Sequence, residues 1–292
     1  MADFLIVGCG YVGSRLATAL TGHVVALVRN DVAAGRLARQ GITAVACDLD
    51  QLSPGRSLPV ACGGASVFYL APPPGEGPTD PRLRRWLDTL DSRALPRRLL
   101  YMSTTGVYGD GRVDEDAPPE PSSDRARARL DAEQAVREWC EARGVGWTIL
   151  RVPGIYGPGR LPLGRLSRGE PAIAAAEAGP GNRIHVDDLV RTCVAAARSD
   201  VATNRLYNVG DGNHASATEY FTAVARLAGL PPPAELPRDE ARRRMSALAW
   251  SFLGQSREVD TSRMERELHP DIRYRDLDAG IRASLGSEGS PP

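Results

Sequence analysis

The stretch Phe4-Leu5-Ile6-Val7-Gly8-Cys9-Gly10-Tyr11-Val12-Gly13 runs from four apolar residues into a G-x-G-x-x-G spacing. Val12, Leu16 and Leu20 then recur at helical intervals. Strand, glycine turn and helix in that order form the context in which such a spacing carries meaning. Each glycine has a separate task. Gly8 permits the tight turn, Gly10 lets the backbone approach a pyrophosphate, and Gly13 lets the helix pack close to the sheet. The start of the helix offers free N–H groups and a partial positive charge to phosphate. Gly8, Cys9, Gly10, Tyr11, Val12 and Gly13 are therefore expected to hold a dinucleotide. An ordinary glycine turn between strand and helix is the plain alternative.

Outward from that turn, β-like and helical runs alternate. Strands are expected at Phe4–Val7, Val24–Val28, Thr43–Cys47, Ala65–Ala71, Arg98–Ser103 and Trp147–Val152. Helices are expected at Tyr11–Leu20, Asp31–Gln40, Arg82–Leu95 and Asp124–Arg143. Apolar strands alternating with helices imply a parallel sheet covered on both faces. After Pro153 the pattern loosens, with helices at Asp187–Arg198 and Ala217–Ala228 and a short strand at Leu206–Val209. The expected class is α/β, a Rossmann-type doubly wound parallel sheet with a small C-terminal substrate-binding lobe. Residues 1–153 would form the NADP(H)-binding domain. Residues 154–285 would complete the sheet and build the lobe, and 286–292 would be a flexible tail.

The end of the second strand bears on the choice of dinucleotide. A carboxylate about 20 residues after the first glycine would bond a ribose 2′-hydroxyl. Here the strand ends Leu27-Val28-Arg29-Asn30. A guanidinium at Arg29 suits a 2′-phosphate, so NADP(H) is expected rather than NAD(H). A solvated strand-end arginine is the other reading. Asp48-Leu49, after the third strand, either meets the adenine or caps its loop.

Bulk composition narrows the function classes. The 292 residues are 42% hydrophobic, enough for a large core, and 36 acidic residues balance 36 basic ones. A neutral chain has no global field to draw it to nucleic acid or an acidic membrane. No apolar run approaches the roughly 18 residues of a membrane span, and the N-terminus does not read as a signal peptide. The five scattered cysteines show neither a CxxC pair nor metal-ligand spacing. A soluble, cytoplasmic protein with a small-molecule substrate is expected, with no nucleic acid, membrane or metal partner. All 36 basic residues are arginine, so a lysine ammonium takes no part in its chemistry.

Several further segments, in this order, resemble the extended short-chain dehydrogenase/reductase superfamily, the group of NAD(P)-dependent sugar epimerases and dehydratases. They are the glycine turn, Asp48-Leu49, Ser103-Thr104-Thr105-Gly106-Val107-Tyr108-Gly109, Leu150-Arg151-Val152-Pro153-Gly154-Ile155-Tyr156-Gly157, Arg183-Ile184-His185-Val186-Asp187-Asp188 and Tyr207-Asn208-Val209-Gly210. The resemblance implies that Thr104 hydrogen-bonds the substrate oxygen. It also implies that Pro153 lies near the nicotinamide, that Ala71 lines the cofactor, and that the His185 segment is structural. Members often dimerise through the helices after the fourth and fifth strands, so a monomer or homodimer is expected. The chain departs from the family at its Tyr-x-x-x-Lys pair. Counting back from Glu133 puts Arg129 in place of the lysine and Arg125 in place of the tyrosine.

Arg125 and Arg129 share a helix face. Arg129 could bond the ribose hydroxyls and Arg125 an anionic group of the substrate, or both could belong to a solvated arginine face. Neither can donate a proton near neutral pH. Tyr108 is the candidate general acid, with packing as its alternative, and Tyr156 is a candidate substrate contact. Asp114, Glu115 and Asp116 read as a solvated lid edge. Two functions stay open: an NADP(H)-dependent oxidoreductase or epimerase for a small polar substrate, and a non-catalytic NADP(H)-binding sensor.

Overall fold

The computed structural model describes residues 2–53, 58–246, 249–250 and 253–286. Seven strands form one parallel sheet: β1 (Phe4–Val7), β2 (Val24–Val28), β3 (Thr43–Ala46), β4 (Ser66–Tyr69), β5 (Arg98–Thr104), β7 (Gly146–Val152) and β11 (Arg205–Asn208). Their order across the sheet is β11-β7-β5-β4-β1-β2-β3, while the short strands β6 (Gly111–Val113), β8 (Gly154–Tyr156), β9 (Ala172–Ile173), β10 (Arg183–His185), β12 (Glu235–Leu236) and β13 (Arg257–Val259) pair outside it and the short helix α5 (Leu163–Ser167) follows β8. Every pairing is parallel, with Val7 opposite both Leu27 and Tyr69. Strand order reverses between β1 and β4, the switch point at which open α/β sheets bind ligands. Because all seven strands run the same way, their carboxyl ends share one edge.

Two apolar layers sandwich the sheet. One, with Leu83, Trp86, Ala132, Val136 and Trp139, seats helices α3 (Pro81–Asp88) and α4 (Asp124–Glu141). The other, with Leu16, Leu189, Cys193 and Ala197, seats α1 (Tyr11–Ala19) and α6 (Val186–Arg198). A third cluster around Leu166, Phe221, Val224 and Ile281 belongs to the C-terminal lobe, where α7 (Ala217–Ala228) packs on the helix Leu277–Gly286. Among the described residues no helix is long and apolar enough to cross a membrane.

One expected element is shorter than its sequence implied. The helix read as Arg82–Leu95 stops at Asp88. The Thr89 hydroxyl turns back to the Trp86 carbonyl, and the Asp91 carboxylate accepts from the Arg93 N–H, so the chain breaks into a turn before Pro96. The strand at Leu206–Val209 was expected, and as β11 it extends the main sheet beside β7. Of the expected tail 286–292, Gly286 closes the helix Leu277–Gly286, and residues 287–292 lie outside the described residues.

Candidate active site

The glycine turn has the geometry its spacing requires. Gly8 adopts φ +89°, and a Cβ there would lie 2.5 Å from the Ala71 backbone nitrogen. Ala71 in turn donates its N–H to the Val7 carbonyl, so the ends of β1 and β4 meet at this point. A Cβ on Gly13 would come within 3.2–3.3 Å of Ile6, Cys9 and the Gly8 carbonyl, the close helix–strand approach expected of the third glycine. A Cβ on Gly10, the N-cap of α1, would meet nothing within 4 Å. That open space before a helix N-terminus fits a pyrophosphate. The Cys9 thiol is buried among core residues, and burial pushes its pKa up to about 11. Val12 is likewise a core residue. Tyr11 projects away, donates from its hydroxyl to the Pro158 carbonyl at 2.9 Å, and is flanked by the guanidiniums of Arg15 and Arg160 at 4.2 and 4.4 Å.

At the end of β2, Arg29 is 66% exposed and its guanidinium stands 3.8 Å from the Asp50 carboxylate. Asn30 caps α2 (Asp31–Ala38), its side chain accepting from the Ala33 N–H. Asp48 caps its own loop, accepting from the Asp50 N–H at 3.0 Å, while Leu49 is buried. The carboxylate facing the basic group is thus Asp50. Arg82 grips it through two hydrogen bonds of 2.6–2.8 Å and Arg85 stands at 3.6 Å. Three guanidiniums around one carboxylate leave a surplus of positive charge beside the β2 end. Arg82 and Arg85 lie more than 50 residues from Arg29, and no local spacing joins them.

Further along the same edge lies a cavity of about 450 Å³. Thr104, Arg125 and Pro153 line it together, as do Ile155, Arg160, Arg183, Thr218, Phe221 and Arg257. The Thr104 oxygen accepts from the Gly106 N–H at 3.1 Å, which leaves its own O–H free to donate into the cavity. The sequence had singled out Thr104, Arg125 and Pro153. Arg160, Arg183 and Arg257 were missed, because they come from three separate segments after residue 157.

Three candidates are not brought to the cavity. Tyr108 is fully buried, donates its hydroxyl to Asn208 Oδ1 at 2.8 Å and stacks under the Arg151 guanidinium, so packing explains it and proton donation to substrate does not. Burial also raises its pKa, the wrong direction for an acid. Tyr156 is buried against the rings of His185 and Tyr220, which removes it from substrate contact; its neighbour Ile155 lines the cavity instead. Arg129 turns its guanidinium to the Met102 carbonyl at 2.8 Å and to the Tyr101 hydroxyl, tying α4 to β5.

Glu133, from which the helix register was counted, accepts two hydrogen bonds from Arg151 and one from Ser103, all between 2.6 and 2.9 Å. This buried network sets the height of α4 over β5 and β7, and with it the position of Arg125. His185 accepts the Asp187 N–H at the start of α6, a structural role. The acidic loop is solvated at Asp114 and Asp116, as expected, but not at Glu115. The Glu115 side chain is only 3% exposed and accepts the Asn208 N–H, while Asp116 pairs with Arg263 at 2.7 Å.

Fold and site together define a class: a Rossmann-type α/β protein with a glycine turn at the topological switch point and a threonine-bearing cavity on the same sheet edge. The NAD dependent epimerase/dehydratase family matches residues 83–210, in line with the resemblance to the extended short-chain dehydrogenase/reductase superfamily. It is 32% identical over 174 residues to a 3-diazoavenalumate denitrifying reductase of a Streptomyces species, a match covering 54% of this chain and 52% of that protein. The chain spans about half the length of the curated relatives it matches first. A functionally unknown conserved protein from Silicibacter pomeroyi superposes with a TM-score of 0.82 at 29% identity, over 99% of this chain and 100% of that one. The UDP-glucuronic acid 4-epimerase of Bacillus cereus, solved in complex with NAD, shares the fold with a TM-score of 0.75 at 19% identity, over 97% and 95% of the two chains.

Proposed function

We propose that this chain is an NADP(H)-dependent oxidoreductase or epimerase that acts on a small polar substrate in the Thr104 cavity. One observation carries the reading: the open Gly10 cradle at the switch point and the Thr104 hydroxyl lie on one sheet edge, two strands apart. The dinucleotide complexes of superfamily members support a nicotinamide cofactor here. NADP(H) is favoured by the three guanidiniums that surround Asp50 at the end of β2. The Streptomyces relative, a reductase by name, supports reductive chemistry.

When bound, the dinucleotide supplies or removes a hydride. Thr104 donates a hydrogen bond to the substrate oxygen, and Arg125 adds positive charge to the cavity lining. The described lining residues include no Asp, Glu, His, Cys or Tyr. A proton therefore passes to or from water or a group on the substrate itself. That same lining keeps the second reading, a non-catalytic NADP(H)-binding sensor, in play.

The test mixes purified protein with NADPH and a panel of carboxylated aldehydes, ketones and a diazophenol, and follows loss of NADPH absorbance. Turnover that disappears in Thr104→Ala supports the enzyme. Tight NADPH binding with no turnover across the panel favours the sensor. For cofactor choice, Arg29→Asp is expected to weaken NADPH binding about 10- to 100-fold more than NADH binding, the range of one or two charge-assisted hydrogen bonds. Equal losses for both would overturn the 2′-phosphate assignment.

A further inference from the structure

Five arginines are buried: Arg82, Arg98, Arg151, Arg183 and Arg257. Three have a carboxylate in reach, with Arg82 on Asp50, Arg151 on Glu133 and Arg98 at 3.7 Å from Asp200. Arg183 and Arg257 have none within ion-pair distance: Asp211 and Glu219 act on Arg183, and Asp110 on Arg257, only from further away. Arg183, 7% exposed, donates one hydrogen bond each to the carbonyls of Ala215 and Ser216 and lies over the Tyr220 ring, with other N–H donors of its five left over. Arg257, 5% exposed, donates to the Thr105 carbonyl, and its Nε has no partner among the described residues. A buried cation without a counter-charge is costly, and buried donors are ordinarily satisfied. Both exceptions line the same cavity.

The two are also held in register. Arg183 opens the strand β10 (Arg183–His185) and Arg257 opens β13 (Arg257–Val259). Asn182 joins them, donating to the Arg257 carbonyl at 2.9 Å and accepting from the Val259 N–H at 3.0 Å. Because Arg257 is anchored on the residue next to Thr104, any charge it recognises lies close to the reacting end of the substrate.

We propose that Arg183 and Arg257 form an oxyanion-binding wall that takes a carboxylate or phosphate carried near the substrate carbon presented to Thr104. The proposal rests on reading the cavity as the substrate site, and it narrows the substrate from small and polar to small and anionic. A guanidinium fork matches either oxyanion, and the missing counter-charge comes with the substrate.

The test needs no turnover. Malonate and inorganic phosphate are titrated separately into the full-length protein, with chloride at matched ionic strength as control, by calorimetry and thermal melting. At least one of the two is expected to bind and raise the melting temperature. The anion that saturates identifies carboxylate or phosphate. Arg257→Gln and Arg183→Gln are each expected to weaken that binding at least tenfold while leaving NADPH affinity within twofold. Arg257→Lys, which keeps the charge and loses the fork, should fall between, and it serves if either glutamine variant does not fold. The proposal is overturned if NADPH binds but neither anion does, or if anion affinity survives these substitutions. Failure of NADPH to bind would instead sink the parent reading, because the anion titrations are run without it.

Discussion

Asp211→Asn should make the protein more resistant to alkaline destabilisation. Asp211 follows β11 and is 2% exposed. Its Oδ1 accepts the Asn213 N–H, and its Oδ2 has no partner among the described residues. Burial pushes its pKa up to about 7, with the neighbouring Asp188 adding to the shift and Asn213 and Arg183 opposing it. The folded carboxyl therefore keeps a proton that the unfolded chain gives up above pH 3.8. Stability from this group is intact below that value and is lost as pH rises toward 7. Between pH 5 and pH 8 the loss spans about two pH units, or about 3 kcal/mol at 1.36 kcal/mol per unit. Asparagine does not titrate, so the variant escapes that loss. Any pH-independent cost of its amide cancels when the two pH values are compared. Calorimetric melting of both proteins at pH 5 and pH 8 should show the variant gaining on the parent by roughly 6–12 °C across the interval. Parallel melting curves at the two pH values would refute the reasoning, because the Asp211 carboxyl would then titrate alike in both states.

Three other outcomes follow from the same structure. Glu133→Gln strips the buried Arg151 of its counter-charge and should cost about 3–5 kcal/mol in urea unfolding, far beyond an exposed pair. Tyr108→Phe removes one internal hydrogen bond to Asn208; stability should fall by about 1 kcal/mol with kcat unchanged, and a large loss of kcat would restore Tyr108 as an acid. Gly8→Ala places a methyl 2.5 Å from the Ala71 nitrogen at a positive φ, so calorimetry should show at least a tenfold loss of NADPH affinity.

What was legible in the chain follows the range of the forces involved. The Phe4–Gly13 turn, the parallel strands and the start of α7 rest on contacts within a few residues: hydrophobic period, glycine φ and a capping box at Ser216 and Glu219. Thr104, Arg125 and Pro153 could be named in advance because the family resemblance ties each to a strand end or a helix register, and all three line the cavity. The helix after β4 was overextended, because its apolar spacing continues past the hydroxyl turn at Thr89 that ends it. The alternatives left open for Tyr108 and Arg129, and the place of Tyr156, are decided by partners such as Asn208, Met102 and His185, since these determine which way each side chain points.

The residues alone were enough for the sheet and for the glycine turn, because backbone geometry and periodicity are written locally. Only the tertiary structure brought Arg82 and Arg85 to Asp50 beside Arg29, and Arg183 and Arg257 to Thr104. Electrostatic complementarity is a property of groups that meet in space. Arginines from segments more than 50 residues apart become neighbours once the chain has closed around them.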